Sequence, residues 1–276
     1  LITTPSYKQF RGAAQFNGID YVCSDLINTN GYFTIDFDDF EKKASDKNVK
    51  AVIWCNPHNP TGRMWTEDEL KKVADIVKKY NLWIISDEIH CDVIRTGNKH
   101  IPMAKIMGNY DKLVTCMAPS KTFNVAGLKA SMSIIPNKEL REKFEHTQKV
   151  MSLDVRNTFG LECVSAAYTD EGEEWMKQEI AYMQKNVDFL EKFVEEQMPG
   201  AKMIRPQGTF LCWLDLSGLH LGDQELFQRV VFEANVICVP GTWFGPGGEE
   251  HIRINVGCPQ SMLKEAIERI QKALYK

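Results

Sequence analysis

Residues 49–90, VKAVIWCNPHNPTGRMWTEDELKKVADIVKKYNLWIISDEIH, decide how the rest of the chain is read. The stretch opens on a continuous apolar run, VKAVIWC, and breaks at a cluster of turn formers, NPHNPTGR. It resumes as TEDELKKVADIVKKY, in which Leu70, Val73, Ile76, Val77 and Tyr80 keep helical spacing. Thr66, with Glu69 three residues on, forms a capping box that places the helix start. A second apolar run, LWIIS, follows. Apolar strands without polar alternation on either side of a helix imply parallel strands, a right-handed crossover and a sheet covered on both faces.

The same texture extends outward. KLVTCM and SMSII read as two further buried strands, the second stopping at Pro136, and LITTP reads as the end of a strand broken by Pro5. Because the chain opens on Leu1 at such a strand, further residues are expected upstream. Beyond residue 137 helices are expected through KELREKFEHTQKV, over about 158–169 and over about 172–198. Strands AKMI and GTFLCWLDL come next, then a helix over about 223–235, strands VICVP and HIRINV, and a last helix over about 260–275. The expected fold class is α/β, a mainly parallel sheet between helices, followed by a smaller α+β domain. The division predicted is 1–170 for a large domain, incomplete at its N-terminus, and 171–276 for a small one.

Composition narrows the function classes. The 276 residues carry a formal charge of −4, which offers no general attraction to nucleic acid or an anionic membrane surface, and neither is expected as a partner. No apolar run approaches the ~18 residues of a membrane span. The eight cysteines form no CxxC pair and mostly sit in apolar runs, so they are read as small hydrophobic side chains in a reducing compartment, the cytoplasm.

Three loops leave the carboxyl ends of buried strands, where open α/β sheets bind ligands: 56–63, 87–90 and 118–129. They carry Asn59, Asp87 and Lys121. Taken singly, Asp87 also suits a helix cap or surface ion pair, Asn59 a turn before proline, and Lys121 a solvated cation. Together they match what pyridoxal 5'-phosphate needs. A lysine amine condenses with its aldehyde, a carboxylate keeps its pyridine nitrogen protonated, and a donor steadies its phenolic oxygen. Ser120 and Lys129 are placed to meet its phosphate.

Four segments, NPHNPTGRMWTEDEL, ISDEIHCD, APSKTFNVAGLK and HIRINVGCP, in this order resemble the class I/II aminotransferase superfamily of fold type I, and within it the branch of MalY/PatB-type cystathionine β-lyases. The resemblance runs from Leu1 to Lys276 and implies the aspartate aminotransferase fold and a homodimer. It implies that Lys121 joins the cofactor and acts as general base, that Asp87 pairs with the pyridine nitrogen, and that Asn59 and His90 approach the phenolic oxygen. Arg253 would hold the substrate α-carboxylate. The implied activity is β-elimination across a carbon–sulfur bond of a small amino-acid substrate of the cystathionine or cysteine type, giving pyruvate, ammonia and a thiol. An aminotransferase on the same scaffold is the nearer alternative, and a non-enzymatic aminotransferase-like regulatory domain the more distant one. Members often carry tyrosine at the place of His90, arginine at that of Lys129 and serine at that of Ala118. Upstream residues are expected to supply a phosphate cradle and a ring-stacking aromatic.

Other chemistries fail on the residues. A phosphate-binding loop needs glycine where Ser120 and Thr115 stand. EIHCD offers neither HExxH nor paired cysteines, so no metal is expected. His58 is left between a role in the substrate pocket and an ordinary loop position.

Overall fold

A computed structural model describes residues 1–276. Its first sheet consists of β1 (Ile2–Thr4), β2 (Cys23–Thr29), β3 (Tyr32–Ile35), β4 (Ala51–Cys55), β5 (Trp83–Asp87), β6 (Leu113–Met117) and β7 (Met132–Ile134). The strand order is β3-β2-β1-β4-β5-β6-β7, parallel from β2 to β6, with β3 and β7 antiparallel at the two edges. Helices α1 (Lys8–Phe16), α2 (Phe37–Ala44), α3 (Glu67–Lys79) and α4 (Met103–Met107) lie between these strands in sequence. The crossover read from residues 49–90 is β4-α3-β5, and the capping box is formed in both directions between Thr66 and Glu69.

α3 buries Leu70, Val73 and Val77 completely, each worth about 2 kcal/mol of apolar transfer. They join Phe40, Trp54, Trp65 and Ile84 in the first core, where Trp54 meets Phe40 edge-on at 6.4 Å and Trp65 at 5.3 Å. Residues 6–48, for which the sequence pattern names no element, hold α1, β2, β3 and α2. α1 buries none of its residues, and β2 is exposed along its last three, so neither carries a long apolar signature.

After β7 come α5 (Lys138–Val150), α6 (Thr158–Ala167) and the long α7 (Asp170–Gln197). A second, antiparallel sheet follows, from β8 (Lys202–Ile204), β9 (Leu211–Asp215), β10 (Val239–Pro240) and β11 (His251–Asn255), in the order β10-β11-β9-β8. α8 (Gly222–Phe227) and α9 (Gln260–Leu274) complete this half. The helix expected over 223–235 is shorter, ending in a π-helical turn over Gln228–Glu233. The strand expected over VICVP shrinks to its last two residues, because the chain before them leaves the sheet, with Ile237 94% exposed. No helix is long and apolar enough to cross a membrane.

Val187, Leu190 and Val194 of α7 pack with Leu214, Ile254 and Ile267 in a second core. Trp213 and Phe244 from the same half belong instead to the first core. At the joint, Gly62 has φ +69° and a Cβ there would stand 2.4 Å from Pro206 Cβ. Its carbonyl accepts from the N–H groups of Gln207 (2.9 Å) and Gly208 (3.1 Å), so the 56–63 loop lies directly against the segment leading into β9.

Candidate active site

β5 lies between β4 and β6, and its register sets Asp87 beside Cys55 on one side and Cys116 on the other. Asp87 is thus the last residue of a central strand, with its carboxyl group at the C-terminal rim of the sheet. Burial pushes its pKa from 3.8 up to about 6, against the opposing pull of the Ile89 N–H and the nearby Lys121 charge. Oδ1 accepts from Ile89 N–H at 3.1 Å. A half-buried, desolvated carboxylate held by one backbone donor is suited to receive a second, charged donor.

Lys121 lies in the turn after β6, half-buried. The turn closes through Phe123 N–H to the Pro119 carbonyl (2.9 Å) and Val125 N–H to the Ser120 carbonyl (3.1 Å). Thr122, fully buried, donates its hydroxyl to Asp92 Oδ2 at 2.9 Å. That bond ties the lysine turn to the loop carrying Asp87 and His90. Sequence reading missed it because neither residue is unusual where it stands.

His90 is buried, its Nδ1 has no partner, and its ring meets Phe210 edge-on at 5.3 Å. Burial first, then the charges of Lys121 and Arg253, depress its pKa to about 3. The imidazole is therefore neutral at physiological pH. The same charges place Lys121, Arg253 and His90 in one electrostatic neighbourhood.

Arg253 reaches this neighbourhood from β11. Its Nη1 donates to Asn59 Oδ1 at 2.8 Å, and the guanidinium lies 4.8 Å from the centre of the Phe244 ring. Burial draws its pKa down to about 10, opposed by Tyr7, so it stays charged at neutral pH. Tyr7 lies between β1 and α1, an aromatic inside the chain where the sequence points only to one upstream. Its place two residues after Pro5, just past the first strand, is the available signal.

The remaining residues divide. Asn59 is buried and joins Arg253; Ser120 is half-buried in the lysine turn. Lys129 is exposed at the end of a short 3-10 turn with φ 55°. His58 turns into its own loop, with Nδ1 2.8 Å from Thr61 Oγ1 and its ring edge-on to Trp65 at 5.4 Å. It packs the loop that presents Asn59. Glu88 is committed to Ser86 (2.8 Å), the Met103 N–H (3.0 Å) and His100 (2.8 Å), anchoring the motif to α4. The eight cysteines are all unpaired, and only Cys55 and Cys212 are fully buried.

A fully charged, planar guanidinium suited to carboxylates, set near an amine and a desolvated carboxyl group on an open parallel sheet, makes this an α/β enzyme that handles amino acids. The chain belongs to the aminotransferase class I and II family, whose pattern matches residues 1–270. It is 40% identical over 275 residues to cystathionine beta-lyase PatB of Bacillus subtilis, covering 99% of this chain and 71% of that protein. Its fold matches a PLP-bound putative aminotransferase of Clostridium difficile with a TM-score of 0.95 and 42% identity, covering 99% of this chain and 70% of the other. It also matches cystalysin of Treponema denticola, whose crystal structure contains pyridoxal 5'-phosphate, with a TM-score of 0.96 and 37% identity over 99% of this chain and 69% of that one.

Proposed function

We propose that the chain is a pyridoxal 5'-phosphate-dependent carbon–sulfur β-lyase acting on amino acids of the cystathionine or cysteine type. The observation that carries the cofactor is the desolvated Asp87 carboxyl group, which feels the Lys121 charge, because a half-buried acid with one backbone donor fits a protonated ring nitrogen. The unpartnered Nδ1 of buried His90 fits a ring oxygen. Ser120 and Lys129 are proposed at the phosphate. The preference for carbon–sulfur cleavage rests on the similarity to PatB.

When bound, the cofactor supplies an electron sink for the bonds of the substrate α-carbon. The chain's own residues then have distinct tasks. Arg253 grips the α-carboxylate with its planar fork, and its bond to Asn59 fixes the orientation of that fork. Lys121 Nζ takes the α-proton as general base, and the neutral His90 adds no competing charge beside it. The thiolate leaves from the β-carbon, so cystathionine and water give homocysteine, pyruvate and ammonia.

The working form is proposed to be a cytoplasmic homodimer, with residues 1–170 as the cofactor-binding part and 171–276 as the smaller domain. The test is to supply the chain with pyridoxal phosphate and L-cystathionine without a keto acid and to follow pyruvate. Borohydride-reduced protein is then mapped by mass spectrometry. Pyruvate production and a label on Lys121 are expected. A label on another lysine, or turnover only with an added keto acid, refutes the reading, the latter in favour of transamination.

A further inference from the structure

A cavity of about 510 Å³ opens where the 61–63 and 95–98 segments meet the strand end at 204–207, and none of Asn59, Asp87, His90, Lys121 or Arg253 lines it. Three arginines line it, Arg63, Arg95 and Arg205, and no acidic side chain does. Two of the three have their charge matched. Arg63 makes a bidentate pair with Glu69 at 2.8 and 2.9 Å, and Arg205 pairs with Asp188 at 2.5 Å and with Glu191.

Arg95 is different. It is 4% exposed, and its side chain bonds only the Thr209 carbonyl, from Nη2 at 2.6 Å. Nε and Nη1 have no partner. A guanidinium cannot shed its proton to escape burial as a lysine can, so a buried, unmatched one calls for an anion. Burial, more than any other cause, presses its pKa down, and the Arg205 charge adds to this while Cys212 and the Asp188 carboxylate, already bonded to Arg205, pull the other way.

The polar lining suits the same ligand. Gln207 Oε1 is occupied by Arg63 Nη1 (2.7 Å) and the Met64 N–H (3.0 Å), which leaves the amide N–H₂ as its free end. Thr96 and Asn98 add further donors. We propose that this cavity binds a small oxyanion, of the phosphate or dicarboxylate kind, with Arg95 as its charge partner. Arg95 also donates its backbone N–H to the Gln207 carbonyl (3.0 Å), and Phe210 packs against His90, so the ion braces the segment bordering the candidate active site.

The test is calorimetric titration of the chain with inorganic phosphate and, separately, succinate, under saturating pyridoxal phosphate so that the cofactor's own phosphate subsite is filled. Gln207→Glu keeps the acceptor for Arg63 while placing a negative charge in the cavity, and is expected to weaken the bound anion by about tenfold or more. Arg95→Met is expected to do the same. Whichever anion binds more tightly identifies the source. Absence of binding by both anions, or binding left unchanged by both Gln207→Glu and Arg95→Met, overturns the proposal.

Discussion

Replacing Asp87 by asparagine is expected to stabilise the cofactor-free chain while impairing its function. In the folded chain burial lifts the Asp87 pKa from 3.8 to about 6. Between these values the folded state holds a proton that the unfolded state has released, so this group makes stability fall as pH rises, and above pH 6 the whole penalty is in place. At 1.36 kcal/mol per unit, a shift of roughly two units is about 3 kcal/mol at pH 8 and about 1 kcal/mol at pH 4.5. Asparagine keeps an acceptor for the Ile89 N–H without the buried charge. Asp87→Asn should therefore gain about 1–3 kcal/mol at pH 8, raising the thermal midpoint on the order of 5 °C, and distinctly less at pH 4.5. Urea unfolding followed by tryptophan fluorescence at the two pH values measures it. Added pyridoxal phosphate should stabilise the parent chain and stabilise the variant much less, since the amide cannot hold a protonated ring nitrogen. A variant less stable than the parent at pH 8, or a gain independent of pH, would refute the view that the carboxylate is held desolvated in wait for a cation.

Gly62→Ala should cost about 2–4 kcal/mol in the same unfolding assay, because the new methyl group meets Pro206 and the backbone is left-handed; a loss below about 0.5 kcal/mol means the joint can shift freely. His58, depressed from 6.5 to about 3 mainly by burial, supports the fold above pH 6.5 and loses that support as pH falls toward 3. His58→Gln should accordingly reduce the slope of stability against pH by up to about 1.4 kcal/mol per unit between pH 3.5 and 6, and an unchanged slope would show that the ring takes up its proton without unfolding. Arg253→Lys keeps the charge but not the fork, so KM for cystathionine should rise about 10- to 100-fold with a smaller change in kcat; a loss confined to kcat would remove Arg253 from carboxylate binding.

What the sequence disclosed follows the physics of burial. The β4-α3-β5 crossover was readable because its strands are apolar on both faces, with Val52, Trp54 and Ile84 fully buried and Ile53 and Ile85 half-buried, and because the Thr66–Glu69 box marks the helix start. The stretch 6–48 was opaque because α1 buries nothing and β2 sits near an edge. Asp87 could be located at a strand end and Lys121 in the turn after the next strand, and the Lys121 charge opposes the rise of the Asp87 pKa. The bonds Thr122–Asp92 and Arg253–Asn59 could not be read from the chain, because no local pattern encodes the pairing of loops from separate strands. His58 shows the converse: a residue inside a suggestive motif whose partners prove to be Thr61 and Trp65 of its own loop.

The Arg253–Asn59 bond joins residues 194 positions apart, one on the second sheet and one on a loop of the first. With the roles proposed above, recognition of the incoming molecule and activation of its bonds fall to separately mutable pieces of one polypeptide. Drift in the second piece can retune what is accepted while the acid and amine of the first stay untouched, a division that lets a single scaffold diversify without reinventing its chemistry.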